Sequence, residues 1–305
     1  MSFLTQFAMQ YNKSNNYKIL ITGSSGFIGR NLVEQLENRY KICAPLSKDL
    51  NLLDKNSVIA FLKNNKVDVI IHAALYVGSE KTKFAQDILK KNLVMFFNLT
   101  DNRKYYKKMI IFGSGAEYNK ANPIVDVDET NFGKSIPEDD YGILKYVISK
   151  YIENTDDIID LRLFGVYGKY EDYTRRFISN AICQSIMGLP ITIKQNVFFD
   201  YLFIDDLAKI VEFFINNKVE YKFYNVGRGK KIDLVSLAKI IKKITNNKNK
   251  IEIIKDGFAN EYTCRNKRLL RELNDFQFIS FEDSIKSMTN WYLSKKSTIG
   301  IEKLI

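Results

Sequence analysis

The segment that most limits what this chain can become is residues 17–36, YKILITGSSGFIGRNLVEQL. A short, β-branched apolar run ends at Gly23, and after it Ile28, Leu32, Val33 and Leu36 recur at helical spacing. That pattern predicts a buried strand, a glycine turn and a helix in direct succession. Gly23, Gly26 and Gly29 allow a tight turn and a close approach of backbone to phosphate, and the helix N-terminus is the positive end that holds an anion. The same spacing also serves a β–α turn without a ligand, but the strand–turn–helix context favours a dinucleotide cradle of Gly23, Ser25, Gly26, Phe27, Ile28 and Gly29.

The rest of the chain keeps this rhythm. Strand-like runs occur at YKICAP, DVIIHAA, KMIIFGS, IIDLRLFGV and FYNVG, and helical patterns at 55–64, 80–101 and 141–154. Strands alternating with helices predict an α/β fold, a doubly wound parallel Rossmann sheet covered on both faces. Beyond about residue 166 the rhythm changes and predicts a smaller C-terminal substrate-binding lobe. The expected division is an N-terminal extension (1–16), a dinucleotide-binding domain (17–166, with about 205–227 returning to it) and a substrate lobe (167–204 and 228–305).

The formal charge of +11 raises the question of nucleic acid. Lys and Asn are scattered along the whole chain, and no basic block carries interleaved aromatics, so solvated faces are expected and nucleic acid is not. A positive field also attracts a phosphorylated small molecule. Three distant cysteines and one histidine, His72, give neither a disulfide framework nor a metal-ligand spacing. No stretch approaches the roughly 18 apolar residues of a membrane span. A cytoplasmic protein without a metal is expected.

The chemistry is expected at Ser114, Tyr141 and Lys145. Tyr141 and Lys145, in YGILK, stand four apart on one helix face. A nearby cation favours phenolate, so such a tyrosine can exchange a proton with a carbonyl or alcohol oxygen. Ser114, in IFGSGAEY, ends an apolar strand where ligands of open α/β sheets bind, and its hydroxyl can hold that same oxygen.

With TGSSGFIG, HAA, FGSGAEY, YGILK, LRLFGVYG and FDYLFIDDL in order, the chain resembles the extended short-chain dehydrogenase/reductases that act on nucleotide sugars. The resemblance implies that Ser114, Tyr141 and Lys145 are catalytic and that a homodimer forms through helices 80–101 and 141–154, with Ile148, Tyr151 and Ile152 exposed. It also implies cofactor contacts at Ala73, Ala74 and Leu163. Dehydratases of this family carry an Asp-Glu pair after the serine or threonine, and here Gly115 and Ala116 stand there. Glu117, one place further, is expected to point elsewhere on a strand-like backbone.

The GDP-fucose synthase branch looks nearer. It epimerises C3 and C5 with a cysteine and a histidine, which fall at Ala116 and near Arg175 or Arg176 here. Reduction of the C4 keto group of a nucleotide-linked 4-keto-6-deoxysugar for surface polysaccharide, with GDP or CDP as the nucleotide, is therefore expected. A C4-epimerase holding NAD tightly, or a bifunctional epimerase/reductase, is the alternative. The family often has Asn where Gly165 stands and Arg where Phe199 stands. Tyr76, Gly115, Ala116, Arg175, Arg176 and Lys194 are the expected sugar-nucleotide contacts, and His72 is expected to be structural.

For the cofactor, counting from the last glycine lands on Asp49, an NAD signal. The strand YKICAP, however, ends near Pro45 and leaves Ser47 and Lys48 to meet the ribose, which favours the 2′-phosphate of NADP(H) over NAD(H). Asn51 and Leu52 are expected beside the adenine.

Overall fold

A computed structural model describes residues 16–78 and 85–304. The expected N-terminal extension and the start of the helix placed at 80–101 lie outside the described residues. Six parallel strands form the large sheet in the order β11-β6-β4-β3-β1-β2. They are β1 (Lys18–Thr22), β2 (Lys41–Cys43), β3 (Val69–His72), β4 (Lys108–Ser114), β6 (Ile158–Leu163) and β11 (Phe223–Val226). The order in which strands are added reverses between β1 and β3, and the carboxyl ends beside such a switch are where open sheets take ligands.

Alternation along each strand divides the core. Ile19 and Ile21 of β1 face one cluster with Ile71, Ile110 and Leu161, whereas Leu20 faces a second with Ile70, Met109 and Ile111. Helices α1 (Phe27–Leu36) and α6 (Ile204–Asn216) cover the first face. Helices α2 (Lys55–Asn65), α3 (Ala85–Thr100) and α4 (Asp140–Ile152) cover the second. Each Leu or Ile so buried is worth about 1.5–3 kcal/mol, which is why the strands read as continuous apolar runs.

Helix α4 corrects one expectation. Leu144, Ile148 and Ile152 recur four apart and are all buried in the second cluster, with Ile148 5% and Ile152 0% exposed. Ile148 and Ile152 therefore cannot be surface residues. The open side of α4 carries Val147 and Lys150, while Tyr151 packs edge-on against Phe96 and Phe97 at 5.4 and 5.3 Å.

The run IIDLRLFGV, read as one strand, breaks at Phe164. The chain leaves the sheet there, and β7 (Gly165–Tyr167) pairs with β10 (Tyr201–Phe203). The smaller sheet has the order β12-β9-β14-β5, with β5 (Ile124–Val127), β9 (Phe198–Phe199), β12 (Ile232–Asp233) and β14 (Tyr262–Cys264). A last pair joins β8 (Ile191–Asn196) to β13 (Ile251–Phe258). Helices α5 (Phe177–Ile186), α7 (Leu234–Thr245), α8 (Lys267–Leu273) and α9 (Phe281–Leu293) complete the α-helices of the described residues. No helix among the described residues is long and apolar enough to cross a membrane.

Candidate active site

A cavity of about 820 Å³ opens at the carboxyl edge of the large sheet. Ser114, Tyr141 and Lys145 all line it, together with Phe27, Ile28, Ala73, Ala74 and Leu163 of the expected cofactor set.

The local sequence explains each position. Ser114 ends β4 and caps a single 3₁₀ turn, Gly115–Tyr118. The Ala116 N–H donates to Ser114 Oγ at 3.1 Å, and the Ser114 N–H donates to Glu117 Oε1 at 2.9 Å. This reciprocal pair is a capping box. Asp139 accepts the Gly142 N–H at 3.0 Å and so fixes the start of α4, which puts Tyr141 in its first turn and Lys145 one turn on. The Lys145 ammonium lies 5.7 Å from the centre of the Tyr141 ring and donates to the Phe112 carbonyl at 2.6 Å. A second cation, Lys120, lies 5.6 Å from the same ring.

The glycine loop fits a dinucleotide. Gly23 adopts φ +70°, and a Cβ there would sit 2.6 Å from the Ala74 backbone, so only glycine lets the turn meet the loop after β3. No side chain caps the first turn of α1, which leaves its N–H groups open to an anion. Gly23, Ser25, Gly26 and Gly29 are not among the residues lining the cavity. Strand β2 stops at Cys43, two residues before the expected end, and Ser47, Lys48 and Asp49 sit in an exposed turn beyond it. Asn51 accepts the Leu53 N–H, and Leu52 is buried with its carbonyl held by Asn98.

Glu117 points away from the cavity, as expected, but on a different backbone. Its backbone belongs to the 3₁₀ turn, not to a strand, and its carboxylate turns into a sealed charge cluster beneath Ser114. Arg162, 1% exposed, has its Nε 2.7 Å from Glu117 Oε2 and 3.8 Å from Asp160 Oδ2. It also donates to the Tyr118 hydroxyl at 3.0 Å, and Tyr118 donates to Asn225 Oδ1 at 2.7 Å. The Ser149 oxygen lies 2.7 Å from Glu117 Oε2 and 2.5 Å from Asp160 Oδ2. One hydroxyl hydrogen is shared between two buried carboxyls, and burial of both favours a proton on one of them. Burial, and next the Asp160 charge, push Glu117 up to about 8. One arginine and one shared proton thus neutralise two buried acids.

The other expected contacts divide. Ala116, Arg175 and Arg176 line the cavity, as do Gly165 and Phe199, whereas Gly115 does not. Tyr76 does not, and its hydroxyl accepts from Lys91 at 3.2 Å. Lys194 is exposed on β8, away from the lining, because its neighbours Ile191 and Ile193 turn inward. His72 lines the cavity, but its Nδ1 lies 2.8 Å from Thr22 Oγ1, and burial pushes it down to about 3, so the ring is neutral.

Three groups escaped the sequence reading. Arg162 had a signal: two charges, Asp160 and Arg162, inside one buried run call for pairing. Glu171 lines the cavity, accepts from Ser179 at 2.5 Å, and is pushed by burial up to about 8. Tyr262, from β14, had no local signal at all, yet it lines the cavity and meets Ser114.

Residues 19–227 match the model of the NAD dependent epimerase/dehydratase family. This chain belongs to that family, the extended short-chain dehydrogenase/reductases. It is 26% identical to GDP-L-colitose synthase of Yersinia pseudotuberculosis over 312 residues, covering 92% of this chain and 99% of that one. Among solved structures, GDP-L-fucose synthetase of Naegleria fowleri bound to NADP aligns with TM-score 0.81 at 17% identity, over 93% of this chain and 94% of that one. GDP-mannoheptose C4 reductase of Campylobacter jejuni, with NADP bound, aligns with TM-score 0.76 at 20% identity, over 91% and 98%.

Proposed function

We propose that this protein is an NADPH-dependent 4-ketoreductase of a nucleotide-linked 4-keto-6-deoxysugar, with GDP or CDP as the nucleotide, working in the cytoplasm in surface-polysaccharide synthesis. One observation carries the reading. Ser114, Tyr141 and Lys145 share one cavity, while positions 115 and 116, beside the serine, offer neither acid nor thiol. The names of a colitose synthase, a fucose synthetase and a C4 reductase among the similar proteins support it.

A bound reduced nicotinamide supplies the hydride. Tyr141 gives its phenolic proton to the C4 oxygen as the carbonyl becomes an alcohol, and Ser114 donates a hydrogen bond to that oxygen. Lys145 holds a positive charge beside Tyr141 and is anchored by the Phe112 carbonyl. Arg175 and Arg176, at the far wall, offer charge to the sugar diphosphate in place of the arginine absent at Phe199. Ser47 and Lys48 are assigned to the 2′-phosphate, and Asn51 and Leu52 to the adenine. A two-fold dimer through α3 and α4 belongs to the same reading, with Val147 on its open face.

A second reading, a bifunctional epimerase/reductase, has Glu171 in its favour, since a cavity-lining carboxyl pushed up to about 8 suits proton exchange. One incubation separates the two. With NADPH and a panel of GDP-, CDP- and dTDP-4-keto-6-deoxysugars in deuterated water, the ketoreductase consumes NADPH and adds no deuterium at C3 or C5. Enzyme-dependent deuterium that Glu171→Gln abolishes would establish the bifunctional enzyme. A nicotinamide absorbance band in the purified protein that NADPH does not exchange would point instead to a C4-epimerase.

A further inference from the structure

The hydroxyl of Ser114 has a partner from the other end of the chain. Tyr262 heads β14 in the smaller sheet and packs its ring on Phe164 at 5.0 Å and Phe199 at 5.9 Å. Its phenolic oxygen lies 3.4 Å from Ser114 Oγ. That is longer than a relaxed O–H···O bond, as such contacts often are before substrate closes over them. Either oxygen is able to donate. Burial, opposed by the bond to Ser114 and reinforced by Tyr141, holds the Tyr262 phenol far above its ordinary value, so it always keeps a proton to give.

The lone pairs of Ser114 decide the direction. One already accepts the Ala116 N–H at 3.1 Å. When Tyr262 donates to the other, Ser114 has no acceptor capacity left, and its single hydrogen is free for a substrate oxygen in the cavity. With Tyr262 absent, that hydrogen is free to rotate. We propose that Tyr262 is a positioning residue that acts through Ser114, fixing its hydroxyl as a donor toward the reacting oxygen.

Gly115 makes the arrangement possible. A Cβ on residue 115 would lie 2.6 Å from the Tyr262 hydroxyl and 2.7 Å from Phe164 Cε1. The space beside Ser114 is therefore filled by a phenol and a phenyl ring. The glycine after the serine is the residue that admits them.

The proposal rests on the ketoreductase reading for its kinetics, so the test has one arm that needs turnover and one that does not. In the first, Tyr262→Phe keeps the ring and should lower kcat about tenfold with the Kd for NADPH unchanged. In a Ser114→Ala background the same change should cost less than twofold, because the group through which it acts is gone. A full tenfold loss in that background, or no loss in the native one, overturns the proposal. In the second arm, Ser114→Cys places a thiol at the same spot, and its pH profile of alkylation is read by mass spectrometry with and without Tyr262→Phe. Loss of the donor to the thiolate should raise the profile by about one pH unit, and an unmoved profile overturns the proposal. Gly115→Ala, which displaces the phenol without deleting it, should move the thiol the same way. If the wild-type protein turns over none of the 4-keto sugars, the ketoreductase reading fails while the thiol arm still decides the role of Tyr262.

Discussion

The two walls of the cavity are built by opposite means. The wall on the large sheet comes from short segments whose neighbours in sequence are neighbours in space: Phe27 and Ile28 at the head of α1, Gly113, Ser114 and Ala116 at the end of β4, Tyr141, Leu144 and Lys145 in the first turns of α4. The opposite wall gathers Arg176, Phe199 and Tyr262 from three stretches that share no local pattern. The first wall rests on hydrogen bonds and dihedrals that close within three or four residues. The second exists only once the smaller sheet has folded against the larger one.

This contrast predicts a division of labour in which the sheet wall carries the chemistry and the arginines of the far wall bind the sugar nucleotide, with Tyr262 as the far-wall residue that reaches across to Ser114. The variants that test it follow. Tyr141→Phe should cut turnover about 10²- to 10⁴-fold by deleting the proton donor, with the Kd for NADPH by fluorescence titration near normal. A loss under tenfold would break the assignment of chemistry to the sheet wall. Arg176→Ala, on the far wall, should raise the KM for the sugar nucleotide about tenfold with kcat and NADPH affinity little changed, as loss of one charged contact implies. Equal damage to kcat would show that the two walls do not divide binding from chemistry.

A third effect, on stability and not on turnover, lies beneath the sheet wall, in the Glu117–Asp160–Arg162 cluster. Glu117 is pushed from an ordinary 4.5 up to about 8 by burial and by Asp160. The folded chain therefore binds a proton that the unfolded chain releases. The stability this group confers is complete below about pH 4.5 and declines as pH rises toward 8. The slope for one proton is at most about 1.4 kcal/mol per pH unit. Denaturant midpoints measured from pH 5 to 8 should fall less steeply in Glu117→Gln, and an unchanged slope would mean that the proton resides elsewhere.

What the sequence made legible follows the same line. The parallel sheet, the glycine turn and the convergence of Ser114, Tyr141 and Lys145 were readable because periodicity and capping are local. Ile148 and Ile152 were misjudged because family resemblance assigned a helix to an interface without saying which of its faces the sheet takes. The stripe Leu144–Ile148–Ile152 held that answer. Lys194 is placed by its position along the chain alone, and a strand that alternates its faces sends it outward. Tyr262 was not readable, since nothing near residue 262 records the existence of Ser114.

The contact between residue 115 and Tyr262 also constrains descent. Any side chain at 115 collides with the phenol, and an acidic one brings an unpaired charge against two aromatic rings as well. A lineage that gains a carboxylate beside Ser114 must displace, shrink or lose the ring at 262, and the intermediate gives up whatever that ring contributes. The two codons are thus bound by sign epistasis: each change is harmful until the other has occurred. Descendants of this chain should carry the glycine and the tyrosine together or replace both.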